Sequence, residues 1–316
     1  MNSRHPPKQA LTAAPGLEHL VTVHQLRLLA AVAEHGGVTR AARELGLSQP
    51  AVSHQLKALA TAVGLPLVDV VGRRIRLTEA GEVLRGHALR VLAEYAAATR
   101  SIEELRGLSR GLIRVIGDTT VGIYVLPDIL GAFHEANPDV DVRLEVGNRQ
   151  RVHDRLFAME VDLAVSGRPL EAPPVPIVST PLLANELIAI AAPQHPLSAL
   201  PRVTLEQLAD ETFIVREPGS GTRETAEEAF ERAGLRVRPV MELASNGAIK
   251  RAVAGGLGVA VVSRYAAALE IELGLLIELP VVGFPLRRQW HLVRLRDRHI
   301  GPTLEAFLGF VEQGTW

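Results

Sequence analysis

The stretch Gly37-Val38-Thr39-Arg40-Ala41-Ala42-Arg43-Glu44-Leu45-Gly46-Leu47-Ser48-Gln49-Pro50-Ala51-Val52-Ser53-His54-Gln55-Leu56-Lys57 decides how the rest of the chain is read. It spells two short helices with a turn between them. Val38, Ala41, Ala42 and Leu45 recur at helical spacing in the first, with Arg40, Arg43 and Glu44 on the other face. Gly46 ends that helix, because glycine takes a positive φ without a Cβ clash. Ser48 is a good N-cap for the next helix, and Pro50 falls in its first turn, where a missing N–H costs nothing. Helix, glycine turn and helix form the outline of a helix-turn-helix. Val52, Leu56 and Leu59 make the inward stripe of the second helix, which turns Gln49, Pro50, Ser53, His54 and Lys57 outward. Short hydrogen-bonding side chains at that end of a recognition helix reach base edges in a major groove. The same outline also fits a plain helical hairpin with ordinary caps, so the flanking sequence must decide.

On the N-terminal side, Thr22 caps a helix running through Glu34, with Val23, Leu26, Ala30 and Ala33 as its inner face. On the C-terminal side, Gly64 and Pro66 end helical structure, and residues 67–77 read as two short strands around a turn at Gly72-Arg73. That hairpin is the wing of a winged helix. Arg73, Arg74 and Arg76 can follow phosphates and supply salt-dependent affinity, or they form a solvated basic tip. The candidate DNA contacts are Thr39, Ser48, Gln49, Pro50, Ser53, His54, Lys57, Arg73 and Arg74. Charge supports them: residues 1–77 hold nine Lys+Arg against four Asp+Glu, whereas residues 111–316 hold twenty against twenty-six. A basic head on an acidic body suits a polyanion partner for the head alone.

With 316 residues, two or three domains are expected, and 47% hydrophobic residues suffice for their cores. The chain has no cysteine, which excludes disulfides, thiolate metal sites and cysteine nucleophiles. Residues 1–20 contain Pro6, Pro7 and Pro15 and no apolar run; a disordered lead-in is expected there, not a signal peptide. No stretch of eighteen apolar residues occurs, so no membrane partner and a cytoplasmic location are expected.

From Thr78 to about Leu108 there is no proline, and Val83, Leu84, Ala88, Val91, Leu92, Tyr95, Ile102 and Leu105 mark an apolar seam along one long helix. Such a seam needs a partner, and an antiparallel helix from a second copy predicts a homodimer. A short hinge at residues 107–111 follows. The remainder alternates short β-branched runs with helical segments, which implies a parallel sheet with crossover helices. Prolines at 169, 173, 174, 176 and 181 interrupt that pattern before it restarts at Leu187. Two α/β lobes with chain crossings form a cleft binder.

Two loops suit an anion or a hydrogen-bonding ligand. Asp118-Thr119-Thr120-Val121-Gly122 leads from the first strand into a helix, expected over residues 123–136. Arg216-Glu217-Pro218-Gly219-Ser220-Gly221-Thr222-Arg223 repeats the arrangement with more glycine and two arginines, either of which can complete a phosphate or carboxylate site. Thr119 and Thr222 also read as plain N-caps. Asn148 and Asn246 stand at matching strand ends. The candidate ligand residues are therefore Thr119, Thr120, Asn148, Arg216, Ser220, Gly221, Thr222 and Asn246. Enzyme signatures fail: the glycine loop lacks a GK[ST] ending, there is no GxSxG or HExxH, and Gly255-Gly256-Leu257-Gly258 precedes a strand instead of following one. No catalytic residue, metal site or cofactor is assigned.

In this order the elements resemble a LysR-type transcriptional regulator from about Leu20 to the C-terminus. The most specific part is Ala41-Ala42-Arg43-Glu44-Leu45 followed by Leu47-Ser48-Gln49-Pro50-Ala51-Val52-Ser53, then Gly72-Arg73-Arg74 and Leu77-Thr78-Glu79-Ala80-Gly81. The resemblance implies a multidomain α plus α/β fold: a winged helix-turn-helix over 21–77, a linker helix over 78–110, and a two-lobed, periplasmic-binding-protein-like effector domain over 111–316. Lobe 1 is expected at about 111–168 and 264–316, lobe 2 at about 169–263. It also implies that the helix carrying Gln49 and Ser53 enters the major groove of promoter DNA, that the cleft takes a small-molecule effector, and that dimers pair into a tetramer. Leu144-Glu145-Val146-Gly147-Asn148-Arg149, Val165-Ser166-Gly167-Arg168-Pro169, Ala192-Pro193-Gln194-His195-Pro196-Leu197 and the 216–223 loop resemble the branch controlling carbon-fixation operons. That branch implies a phosphorylated metabolite or nucleotide cofactor as effector. The chain departs from the family at Val68 and Val70, where many members carry an aromatic residue and an arginine, and at His54, the usual place of an arginine. The alternative from another class is a metabolite-binding or enzymatic α/β protein whose N-terminal helices only dimerise.

Overall fold

The computed structural model describes residues 20–71, 74–105, 111–168, 170 and 175–314. The expected lead-in up to residue 19, the wing-tip residues Gly72 and Arg73, the side chain of Arg74, the hinge at 107–110 and the prolines at 169, 173 and 174 lie outside the described residues. The chain divides into two compact units, Met1–Ala97 and Ala98–Trp316.

In the first unit α1 (Val23–His35) starts at a capping box in which Thr22 and Gln25 satisfy each other's backbone N–H. Of its expected inner face, Leu26 and Ala30 are buried and Ala33 is half-buried, but the face is wider and excludes Val23. Leu28, Leu29 and Val32 are fully buried, while Val23 is exposed. α2 (Val38–Glu44) and α3 (Gln49–Val63) follow, joined through Gly46 at φ 66°. Leu28, Leu29 and Val32 pack with Val38, Ala41, Ala42, Val52, Leu56 and Leu59 into one core, each buried leucine contributing about 1.5–3 kcal/mol. Gln25 of α1 donates to Gln55 of α3 across 3.2 Å, which fixes the angle between supporting and exposed helices. The wing strands β1 (Val68–Val71) and β2 (Arg74–Leu77) pair antiparallel. Thr78 donates to Pro66 O at 2.6 Å and accepts from Gly81 N at 3.0 Å, tying the wing's base to the start of α4 (Glu79–Leu105). A Cβ on Gly81 would lie 2.1 Å from Leu67 O, so only glycine fits there. α4 is the long helix expected after the wing; its first turns pack Ala80 and Leu84 on the helix-turn-helix core, and the unit boundary falls within it. None of the described helices is long and apolar enough to cross a membrane.

The second unit is built on a mixed sheet. β3 (Gly111–Asp118), β4 (Val140–Gly147) and β5 (Leu163–Ser166) are parallel to one another. β6 (Ile177–Ala191) and β11 (Leu286–Leu295) pair antiparallel along most of their length, and β11 also pairs antiparallel with β5. The expected parallel sheet holds for β3, β4 and β5 and is corrected at β6 and β11, because strands that carry the chain from one lobe to the other and back run in opposite directions. Pro181 does not interrupt β6. It sits beside a register shift opposite Trp290 and His291, where a missing N–H is tolerated. The single helix expected over 123–136 is two, α5 (Thr119–Tyr124) and α6 (Leu126–Ala136); Pro127 falls in the first turn of the second.

Four further strands and their helices complete the unit. α7 (Arg149–Phe157) follows β4, and a 3₁₀ turn (Pro196–Ala199) and α8 (Leu205–Ala209) follow β6. β7 (Thr212–Arg216), α9 (Gly221–Arg232), β8 (Arg238–Leu243), α10 (Asn246–Ala254), β9 (Ala260–Ser263), α11 (Arg264–Glu272) and β10 (Ile277–Glu278) come next, and α12 (Pro302–Gln313) closes the chain. β9 pairs with β6, and β7 lies beside it through Ile214 N to Val259 O at 2.9 Å. The lobe boundaries move from those expected. Ala267, Leu276, Leu279 and Val281 are buried in lobe 2 cores with Ile188, Ile214 and Phe213. Val175, Ile177, Leu182 and Leu183 pack in lobe 1. Both crossings therefore fall inside β6 and β11, near Asn185 and Trp290.

Candidate functional site

Of the candidate DNA contacts, Thr39, Ser48, Gln49, Pro50, His54 and Lys57 are exposed and Ser53 is half-buried. Ser48 caps α3 by accepting from Ala51 N at 3.4 Å, which leaves Gln49, Pro50 and Ser53 on its first two turns. Gln49 Nε2 reaches Ser53 Oγ at 3.5 Å, a long contact that a better partner would displace. Val52, Leu56 and Leu59 point into the core, so the outward set is defined by what packs behind it. Arg76 stands opposite Asp69 in the wing ladder and is exposed.

The second candidate site is a narrow cleft between the lobes. Thr119, Thr120, Asn148, Arg216, Ser220, Gly221 and Thr222 line it, so seven of the eight expected ligand residues meet there. Asn246 sits just behind. It accepts from Arg216 Nη1 at 2.9 Å and donates to Thr120 Oγ1 at 3.2 Å, which joins lobe 2 to lobe 1. Arg216 is buried and doubly bonded to Glu217, at 2.7 and 2.8 Å. Burial pushes the Glu217 carboxyl up, but the hydrogen bonds and charge of Arg216 outweigh it and hold the carboxyl below its ordinary range. Arg223 does not serve the cleft. It is spent on Glu227, Glu242 and the carbonyl of Arg216, which corrects one of the two expectations for this loop. Thr119 spends its hydroxyl on Gly147 O at 3.2 Å.

Asp118, Arg149, Asn185, Glu217, Arg288 and Trp290 also line the cleft and were not among the expected ligand residues. Asp118, Arg149 and Glu217 adjoin residues that were, so proximity in sequence is a usable signal for them. Asn185 and Arg288 carry no local signal, because they stand within the long crossing strands. Arg288 Nη2 donates to Gly167 O at 2.8 Å, and a Cβ placed on Gly221 would lie 2.9 Å from the same nitrogen. The guanidinium thus abuts the first turn of α9, whose Ser220 makes no side-chain cap bond. Burial pushes Arg288 down to about 10, against the charge of Asp118. A half-buried cation facing the positive end of a helix suits an anion.

The lobes are clasped beside this cleft. Arg168, at the end of β5, donates to Glu224 Oε2 at 2.8 Å and pairs with Glu228, both on α9. Arg149 reaches the same Glu224 oxygen at 3.4 Å. At the back, Lys250 of α10 binds Glu270 at 2.7 Å and stands 5.2 Å from the centre of the Tyr124 ring. Among the described residues no cluster suited to a metal ion occurs.

Two family models match this chain. The LysR substrate binding domain covers residues 106–316, and the bacterial regulatory helix-turn-helix protein of the lysR family covers residues 23–82. The chain is 39% identical over 290 residues to the HTH-type transcriptional activator CmpR of Synechocystis sp., covering 92% of this chain and 94% of that protein. It is 39% identical over 291 residues to a RuBisCO operon transcriptional regulator of Allochromatium vinosum, covering 92% and 95%. The solved Synechocystis CcmR regulatory domain in complex with 2-PG is 34% identical, with a TM-score of 0.61 over 65% of this chain and 97% of that one.

Proposed function

This chain belongs to the LysR family of bacterial transcriptional regulators, and from that premise we propose that it controls carbon-fixation genes in response to a small phosphorylated acid held between its lobes. It is a DNA-binding regulator with an effector-binding domain, and not an enzyme. The names of its relatives, a RuBisCO operon regulator among them, support the choice of target genes. The complex of the CcmR regulatory domain with 2-PG supports the choice of ligand class. The observation that carries the cleft assignment is Arg288: a half-buried guanidinium held against the first turn of α9, with Ser220, Gly221 and Thr222 around it.

The ligand shifts a population. Bound between Thr119–Thr120 on one lobe and Ser220–Thr222 on the other, it favours one lobe arrangement, and paired dimers then place their DNA-binding heads differently. The protein acts in the cytoplasm as a homodimer through α4, and as a dimer of dimers on promoter DNA. Val83, Val91, Tyr95 and Ile102 leave an exposed apolar row on that helix, which supports a helix from a second copy as its partner. Gln49, Pro50 and Ser53 read base edges; Lys57 and the wing arginines hold phosphates.

Footprinting of the full-length protein upstream of carbon-fixation genes tests this, across salt and with phosphorylated carboxylates added. The expected footprint prefers promoter over random DNA, weakens steeply with salt and changes with ligand. Arg288→Met should keep the footprint and lose the change. Equal binding to promoter and random DNA at every salt concentration would refute the reading.

A further inference from the structure

Asp118 ends β3 at the cleft and is only half satisfied. Its Oδ2 accepts from Gly167 N at 2.8 Å and from Ser166 Oγ at 3.0 Å. Its Oδ1 is buried and has no hydrogen-bond partner among the described residues. An ionised oxygen left bare in this way costs about 1–3 kcal/mol or more, so a partner is called for. The neighbours do not supply one. Arg288 bonds the carbonyl of the same Gly167 whose N–H holds Asp118. The acid and the guanidinium are therefore anchored to the two ends of one residue, about one residue length apart.

We propose that the cleft selects an anion that also carries a hydrogen-bond donor close to its charged group, a hydroxyl in the first instance, and that Asp118 Oδ1 is the acceptor that reads it. The proposal rests on the reading of the cleft as an anion site and narrows its ligand to short acids, phosphorylated or not, that keep a free hydroxyl beside the charged group. The charged end meets Arg288 and the first turn of α9, and the hydroxyl one or two bonds away meets Asp118. An acid without that donor leaves Oδ1 bare and places a second negative charge beside it. Discrimination of about 10- to 100-fold is expected from one such buried, charge-assisted bond. Burial raises the Asp118 carboxyl above its ordinary range, against the bonds from Gly167 and Ser166 and the charges of Arg288 and Arg149. A donor brought by the ligand stabilises the ionised form; a proton taken up instead would turn Oδ1 into a donor and remove the preference.

Calorimetric titration of the full-length protein with matched pairs separates these cases. The pairs are D-3-phosphoglycerate with 3-phosphooxypropanoate, and L-malate with succinate; each differs by one hydroxyl. The wild type is expected to bind the hydroxylated member of at least one pair 10- to 100-fold more tightly. Asp118→Asn keeps the side chain's shape but presents an amide donor, and should reduce that ratio to within about threefold. Equal affinity for both members in the wild type, or a preference that survives Asp118→Asn, overturns the proposal while leaving the anion site standing. The wild-type ratios carry this test even where the variant folds poorly. Failure of all four acids to bind overturns the anion reading itself, and this proposal with it.

Discussion

Neutralising Glu224 should open the two lobes. Its Oε2 accepts from Arg168 at 2.8 Å and from Arg149 at 3.4 Å, and both arginines belong to the other lobe. The three side chains keep 20–29% of their surface exposed, so solvent screening limits each pair to about 0.5–1 kcal/mol. Glu224→Gln removes both pairs and should raise the open-to-closed ratio about 5- to 30-fold, the equivalent of 1–2 kcal/mol. Glu228 remains on Arg168, and Asn246 still joins Thr120 to Arg216, so the lobes should loosen without separating completely. The chain has no cysteine of its own, which permits clean spin-labelling. Asp139→Cys on lobe 1 and Glu231→Cys on α9, both at exposed positions, report the lobe separation by double electron–electron resonance. The distribution should gain a longer component in Glu224→Gln, and the wild type should approach it in 1 M salt, where charges are screened within about 3 Å. Ligand should restore the short distance. A distribution unchanged by the substitution would show that the ion pairs do not govern closure, and would refute the reasoning.

Other substitutions test other parts of the molecule. Gln49→Ala or Ser53→Ala should cost about 1–3 kcal/mol on the preferred site and much less on random DNA, measured by competition binding; an equal loss on both would exclude base reading. Thr222→Val should abolish the ligand response while leaving DNA affinity intact, since Thr222 is buried at the cleft wall; an unchanged response in a ligand-dependent footprint would remove that loop from the site. Asp162→Asn should destabilise the effector domain by about 3 kcal/mol in urea unfolding, because it takes the shared carboxylate from the buried Arg298 and the half-buried Arg114. Burial pushes Asp162 up, but the bonds from Arg114 and the charge of Arg298 prevail and hold it below its ordinary 3.8. Its contribution is therefore complete above the unfolded value and is lost as pH falls from about 4 through the folded one. A wild type that keeps full stability down to pH 2 would contradict this.

What local sequence determined is what local geometry can enforce. The helix-turn-helix is legible because Gly46, Ser48 and Pro50 each specify a backbone state within a few residues, and because Val52, Leu56 and Leu59 repeat at helical spacing. The loops at 118–122 and 216–223 are legible because strand ends followed by small hydroxylated residues mark ligand-facing helix starts. The inner face of α1 was harder to place: Leu28, Leu29 and Val32 are chosen by what α2 and α3 put against them, and helical spacing alone admits neighbouring stripes.

The lobe boundaries and the cleft's charge were decided only by tertiary structure. β6 and β11 run continuously through both lobes, so no break in composition marks the crossings near Asn185 and Trp290. Arg216 and Arg223 look alike in sequence, yet one lines the cleft and the other is consumed by Glu227 and Glu242. Arg288 and Asp118 lie far apart in sequence and meet only because β11 and β3 both flank β5, which brings each to a different end of Gly167. A short-range pattern specifies elements and their outward faces. The placing of this acid and this base at one residue comes from strand order, and strand order is set by how the whole chain buries its apolar surface.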